Sequence, residues 1–410
     1  MSFRLLPRTL LFLLLICGSP LAGTEPIPAT LSWAERMALS DMQRNPEPWQ
    51  IDFRDTPKWN YTHGLMMTAY EALYEHTGNP RYGRYIKRYA DTLIEADGHI
   101  RTYQLDRYNI DHLNPGKMLL FLRHYSPSPR YDKALTTLWR QLQSQPRTSD
   151  GGFWHKQRYP HQMWLDGLYM GAPFYARYLA ETDPDSPLFD DVERQFALVM
   201  AHHLNPKTGL LFHGWDESRK QSWANPDTGQ SPNFWSRSMG WYVMGLVEAL
   251  EQFPPQHPGR QRLAGYLQSV LDALLKYRDP ATGLWYQVTD QGTRPGNYLE
   301  ATGSVMFVYA MARGANRGYL PSHYRAIASD SYQGILKHLI TVDGDDGEVH
   351  LQQNCAVAGL GGTPYRDGSF NYYVSEPVRA DDPKGVGPFI LASLELEQAP
   401  PATTTGTETP

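Results

Sequence analysis

The sequence predicts an all-α fold, an (α/α)6 barrel. Six inner helices form a ring inside six outer ones, with short β-hairpin segments in the loops at one end. Three observations predict it. Nearly apolar, Gly-containing helical stretches alternate with amphipathic ones along the chain. Most apolar stretches follow a turn and a short extended aromatic segment. The clearest copies are Asn205-Pro-Lys-Thr-Gly-Leu-Leu-Phe and Asp279-Pro-Ala-Thr-Gly-Leu-Trp-Tyr, with looser ones at Asp97, Asp150 and Asp346. The repeat is also long and irregular, unlike the short fixed period of a helical solenoid.

The inner helices are predicted over His63–Tyr74, Asn114–His124, Trp164–Leu179, Ser238–Leu250, Thr302–Ala312 and Gly385–Leu396. Each carries small residues near its start, such as Gly64, Gly116, Gly167, Gly240, Gly303 and Gly385, which let helices approach closely. Few charges interrupt them, so they are buried on every side. The outer helices are predicted over Pro80–Ile94, Pro129–Leu142, Phe189–His202, Arg260–Lys276 and Tyr324–Leu339. These mix charged and apolar residues at three- and four-residue spacing, which gives one wet face. Several begin at or just after Pro, a residue suited to a first helical position.

Composition agrees with this plan. The 410 residues carry a formal net charge of −5, only 20% charged residues and 12% aromatics. No basic block is present, which argues against a nucleic-acid binder. The aromatic content argues against disorder. Arg4 and Arg8 precede an apolar run from Thr9 to Cys17, and small residues follow to Gly23. That pattern predicts a cleaved signal peptide over 1–22 and a secreted or periplasmic protein. A catalytic domain is expected over 23–398 and a disordered Thr/Pro-rich tail over 399–410. Removal of the signal leaves Cys355 alone, so no intrachain disulfide or Cys-based zinc site is expected. A buried, inert thiol is the expectation for it.

In the predicted ring, the loops entering the inner helices share one end, together with the helix N-termini. Such an end favours anions. Aromatic rings there suit the C–H faces of a sugar. Asp166 opens the third inner helix among Met163, Trp164, Leu165, Leu168 and Met170. Burial in that company is expected to raise its pKa, as a general acid requires. Asp111 precedes the neighbouring inner helix and makes a second carboxylate next door, or an Asx turn. His155, His213, Arg237 and Trp241 occupy equivalent loop positions, and Arg237 suits bidentate capture of a carboxylate. The stretch Asp343–Glu348 lacks calcium-loop spacing, and His202 and His203 are a poor metal pair.

Phe153-Trp-His-Lys, Met163-Trp-Leu-Asp-Gly-Leu-Tyr-Met, Asn109-Ile-Asp-His-Leu-Asn-Pro-Gly-Lys, Trp235-Ser-Arg-Ser-Met-Gly-Trp and Lys384-Gly-Val-Gly-Pro-Phe form a recognisable set. It resembles the unsaturated rhamnogalacturonyl hydrolases, glycoside hydrolase family 105, from about Trp59 to about Leu394. The resemblance implies the same barrel and a substrate ending in a 4,5-unsaturated uronic acid linked to rhamnose. It implies catalysis by Asp166 with Asp111 as the second active-site aspartate. It implies substrate contacts from His155, His213, Arg237 and Trp241, with Trp164 and Tyr61 lining the cleft. No metal or organic cofactor is implied, and the protein is expected to act as a monomer. Three alternatives stay open: an unsaturated glucuronyl hydrolase acting on ulvan or glycosaminoglycan fragments, a polysaccharide lyase on the same toroid, and a sugar-binding protein that has lost catalysis.

Overall fold

A computed structural model describes residues 26–397. The expected signal peptide, 1–22, and tail, 399–410, lie outside the described residues. In chain order the helices are α1 (Trp33–Arg44), α2 (Tyr61–Thr77), α3 (Pro80–Leu93), α4 (Gly116–Tyr125), α5 (Pro129–Ser144), α6 (Leu165–Thr182), α7 (Phe189–His203), α8 (Ser236–Gln252), α9 (Gly259–Leu275), α10 (Ala301–Asn316), α11 (His323–His338), the short α12 (Phe370–Ser375) and α13 (Pro383–Glu397). The inner ring runs α2–α4–α6–α8–α10–α13, and α13 packs back against α2 to close it. Helices α3, α5, α7, α9 and α11 each pack on the inner helix before them. The sixth outer helix is α1, which lies against α13. Its sequence hides it, because no aromatic turn segment precedes it. Ser32 caps it instead, accepting from Glu35 N–H at 3.2 Å.

Local chemistry sets the boundaries. Gly78 ends α2 in the left-handed region, φ +66°. Asn79 then caps α3, and Pro80 occupies its first position, where a missing N–H costs nothing. Pro173 sits inside α6 and cannot donate to the Tyr169 carbonyl. The Asn114 side-chain amide reaches that carbonyl at 3.4 Å. Close approach of inner helices depends on missing side chains. A Cβ on Gly64 of α2 would lie 2.3 Å from Asn114 Oδ1 and 2.7 Å from Pro115 N.

One buried cluster of charge within the ring is compensated. Lys117 of α4 donates to Glu248 at 2.8 Å and to the Tyr169 hydroxyl at 3.1 Å, while Tyr169 donates to Glu248 at 2.9 Å. Removing one member of such a buried pair strands the other.

Three two-stranded ladders decorate the ring. They pair β1 (Gln162–Trp164) with β2 (Gly214–Asp216), β3 (Ile340–Val342) with β4 (Val349–Leu351), and β5 (Asn354–Cys355) with β6 (Val378–Arg379), all antiparallel. Only β3–β4 is a hairpin. The other two join loops far apart in sequence.

The helix contacts make a paired prediction. Gly64→Ala overpacks the α2–α4 contact and should cost about 1–3 kcal/mol. Gly265→Ala, on α9 where a Cβ meets nothing within 4 Å, should gain about 0.5–1 kcal/mol. Thermal melts of the two variants should move in opposite directions.

Candidate active site

The site is assembled by loop pairing. The β1–β2 ladder sets Trp164 opposite Gly214. Leu165 N–H donates to the His213 carbonyl at 3.0 Å, and His155 N–H to the Gln162 carbonyl at 2.8 Å. Ile110 N–H donates to the His155 carbonyl at 3.2 Å. Three loops, from around 110, 155 and 213, are thereby fastened to the start of α6. That start carries Asp166.

Asp166 is the second residue of α6. Its Oδ2 lies 3.0 Å from His213 Nε2. Asp111 stands in a single 3-10 turn, Ile110–His112, capped by the Asn109 side chain, which accepts from Asp111 N–H at 3.2 Å. The Asx turn belongs to Asn109, so the Asp111 carboxylate is free for other partners. It accepts from Lys156 Nζ at 2.5 Å and lies 3.6 Å from His155 Nε2. His155 stands between the two aspartates electrostatically and feels both.

The ionisation states differ from the sequence expectation. Burial acts to raise the Asp166 carboxyl, but the His213 ring and a backbone N–H hold it below its ordinary value. The apolar neighbours in sequence mislead here, because Met163 and Leu165 are buried in the main core while the carboxylate faces His213. Asp111 behaves the same way. Burial opposes ionisation, but the Lys156 ammonium holds the carboxyl low. Burial and the Lys156 charge push the His155 imidazole down to about 3, so the ring is neutral across the physiological range.

Trp164 forms the wall behind these groups. Its ring stacks on His155 at 4.5 Å and on Tyr159 at 4.9 Å, and meets His213 edge-on at 5.4 Å. Arg237, the second residue of α8, is 1% exposed. Its Nη1 donates to the Cys355 carbonyl at 2.5 Å, and the guanidinium lies 4.7 Å above the Trp235 ring. Its Nε has no hydrogen-bond partner among the described residues. Trp241, one turn later, is buried against Tyr169 and meets Tyr61 edge-on at 6.1 Å. Tyr61 is half-buried at the start of α2. Burial and nearby Asp52 push its hydroxyl well above the usual tyrosine range. Cys355 is buried, and burial raises its thiol.

Sequence reasoning missed Lys156 and Tyr373 as members of the site. Lys156 sits inside the motif Phe153-Trp-His-Lys, so its signal was present. Tyr373, whose hydroxyl lies 2.8 Å from His213 Nδ1, comes from α12 and carries no sequence signal of its own. One cluster among the described residues has metal-ligand spacing: Asp343, Glu348 and His350 on the β3–β4 hairpin. Glu348 there is held by Arg44 at 2.7 Å.

The Lys156–Asp111 pair makes a pH-dependent prediction. Asp111 has a folded pKa below its unfolded one. Its stabilisation is therefore full near neutrality and fades as pH falls through the folded value. Lys156→Met should cost about 3 kcal/mol near pH 7. The loss should shrink in melts well below pH 3.8, where the carboxyl protonates in the folded chain, and an equal loss there and at pH 7 would contradict the assignment.

Known proteins share this arrangement of helices. Glycosyl Hydrolase Family 88 matches residues 33–399. A glycoside hydrolase from family 105 of C. acetobutylicum is 45% identical, with a TM-score of 0.86, covering 90% of this chain and 99% of that one. The 24.9 kDa protein in picA locus of Rhizobium radiobacter is 38% identical over 234 residues, 55% of this chain and 97% of that protein. The unsaturated rhamnogalacturonyl hydrolase YesR of Bacillus subtilis is 27% identical over 269 residues, 64% of this chain and 72% of that one. With its six-hairpin ring, the chain belongs to glycosyl hydrolase family 88, within the unsaturated hexuronide hydrolases of families 88 and 105.

Proposed function

We propose that the protein removes a terminal 4,5-unsaturated galacturonic acid from rhamnose, as left by lyase action on rhamnogalacturonan. The observation that carries this reading is Asp166 beside His213 at the mouth of α6, with a second carboxylate, Asp111, held across His155. Kinship with YesR supports the choice of sugar.

The reaction is hydration of an enol ether. Asp166 rests as a carboxylate, and an entering uronate changes that. A second negative charge close by, with water excluded, favours proton uptake by Asp166. The acid then delivers its proton to C4 of the unsaturated ring. Positive charge develops at C5 and the ring oxygen. Water adds at C5 and gives its proton back to Asp166. The hemiketal opens to a C5 ketone, and the hemiacetal left at C1 releases rhamnose. Asp111, fixed by Lys156, orients the water or a sugar hydroxyl. The free Nε edge of Arg237 and the start of α8 suit the uronate carboxylate. Trp164 and Tyr61 offer ring faces to the sugar. The basic and apolar residues of 1–22 support a secreted or periplasmic place of action, where lyase products accumulate.

The test is optical. Lyase-generated rhamnogalacturonan disaccharide absorbs in the ultraviolet through its conjugated C=C–carboxylate, and that absorbance should fall on incubation. Asp166→Asn should slow the fall by about a thousandfold. Equal rates would remove Asp166 from the mechanism. A rise on intact polymer would indicate a lyase. Faster loss with amino-sugar-linked than with rhamnose-linked substrate would move the specificity to glycosaminoglycan fragments.

A further inference from the structure

We propose that Tyr373 is a positioning residue that fixes the tautomer of His213 and so puts its ring proton on Nε2, the nitrogen 3.0 Å from Asp166. The inference rests on the reading of Asp166 as the reacting carboxylate. Three groups follow one another at short distance. The Tyr373 hydroxyl is 2.8 Å from His213 Nδ1, and His213 Nε2 is 3.0 Å from Asp166 Oδ2. Tyr373 and His213 are both fully buried, 0% exposed, so water does not replace either contact.

A neutral imidazole has one donor and one acceptor nitrogen. Which is which depends on the partner of Nδ1. The rings around His213 supply no competing donor. The Trp235 indole N–H donates to Gln287 Oε1 at 3.0 Å, and the Trp164 indole N–H to Gln162 Oε1 at 3.1 Å. Tyr373 is left as the polar partner of Nδ1. Its hydroxyl makes no other hydrogen bond among the described residues, and its surroundings keep it protonated. It therefore donates, Nδ1 accepts, and the ring proton sits on Nε2, facing the carboxylate. The opposite tautomer would point a lone pair at Asp166 and leave the phenol proton without an acceptor. The other ionisable groups near this pair are His155, His203, Arg366, Tyr372 and Cys355. None hydrogen-bonds the His213 ring.

Tyr373 is itself held in place. Ser369 caps α12 by accepting from Tyr372 N–H at 3.1 Å. Gln287 Nε2 donates to the Tyr373 carbonyl at 3.0 Å, and the Tyr373 ring stacks with Trp235 at 5.9 Å. Gln287 thus ties the indole of Trp235 and the backbone of Tyr373 to one amide. Such partners commonly set the orientation of a working histidine without touching substrate.

The experiment uses the full chain labelled with 15N-histidine, without substrate. His213 resonances are assigned by their loss in His213→Gln. The wild-type ring should be protonated on Nε2, with Nδ1 as the unprotonated acceptor. In Tyr373→Phe, which keeps the ring packing, Nδ1 should become protonated in a large share of molecules. With unsaturated disaccharide, kcat should fall about ten- to a hundredfold, with KM changed less than about threefold. A wild-type ring protonated on Nδ1 overturns the proposal, and so does an unchanged tautomer in Tyr373→Phe. If the variant does not fold, the wild-type spectrum still decides. The spectrum needs no substrate. A shifted tautomer in a protein inactive on unsaturated uronides would refute the reaction and leave the positioning role standing.

Discussion

Pairing of Gln162–Trp164 with Gly214–Asp216 joins two loops separated by the whole of α6 and α7. Without that ladder His213 has no reason to stand beside Asp166. With it, the Leu165 N–H takes the His213 carbonyl, and the first turn of α6 is spliced to the neighbouring loop. Only three residues pair on each side, so the ladder is too short to hold itself. It persists because the helices beneath are already packed. The ring supplies rigidity, and the ladder converts it into one short distance at a carboxylate.

That distance governs the electrostatics. Two buried carboxylates would normally resist ionisation. Each is instead matched with a nitrogen from another loop, Asp166 with His213 and Asp111 with Lys156. Both are held as anions. For the proposed reaction, an acid at rest as a carboxylate suits a substrate that brings its own negative charge, since the arriving charge is what favours protonation. The two aspartates are not equivalent. Asp111 faces a permanent cation, while Asp166 faces an imidazole, the more adjustable partner.

Much of this was legible in the chain. The apolar and amphipathic alternation placed all six inner helices and five of the six outer ones within a few residues. The missing one, α1, stands before the first aromatic segment and so falls outside the repeat. Asp166, Asp111, His155 and His213 come together because equivalent loops of a ring share one end. The charge state of Asp166 was not legible, because the residues beside it in sequence are not the ones its carboxylate faces. Tyr373 was not legible either. Its position depends on a return of the chain through 356–376 to a site built some two hundred residues earlier, and nothing local records that path.

A second opening in the ring lies away from the aspartates. A cavity of about 580 Å³ lies at the opposite mouth, lined by Glu71, Glu75, Glu181, Glu248, Glu251 and Glu395. Its arginines are already engaged: Arg177 with Glu71 and Glu181, Arg313 with Glu251 and Glu395, and Arg317 with Glu251. The inner helices also end there, so their carbonyl termini add partial negative charge. A uronate is repelled by such a mouth. At the other end the same helices begin, and Arg237 stands in the first turn of α8. Parallel inner helices thus give the ring one face suited to anions and one opposed to them. For an acidic sugar, that polarity outweighs volume in deciding which end is the site.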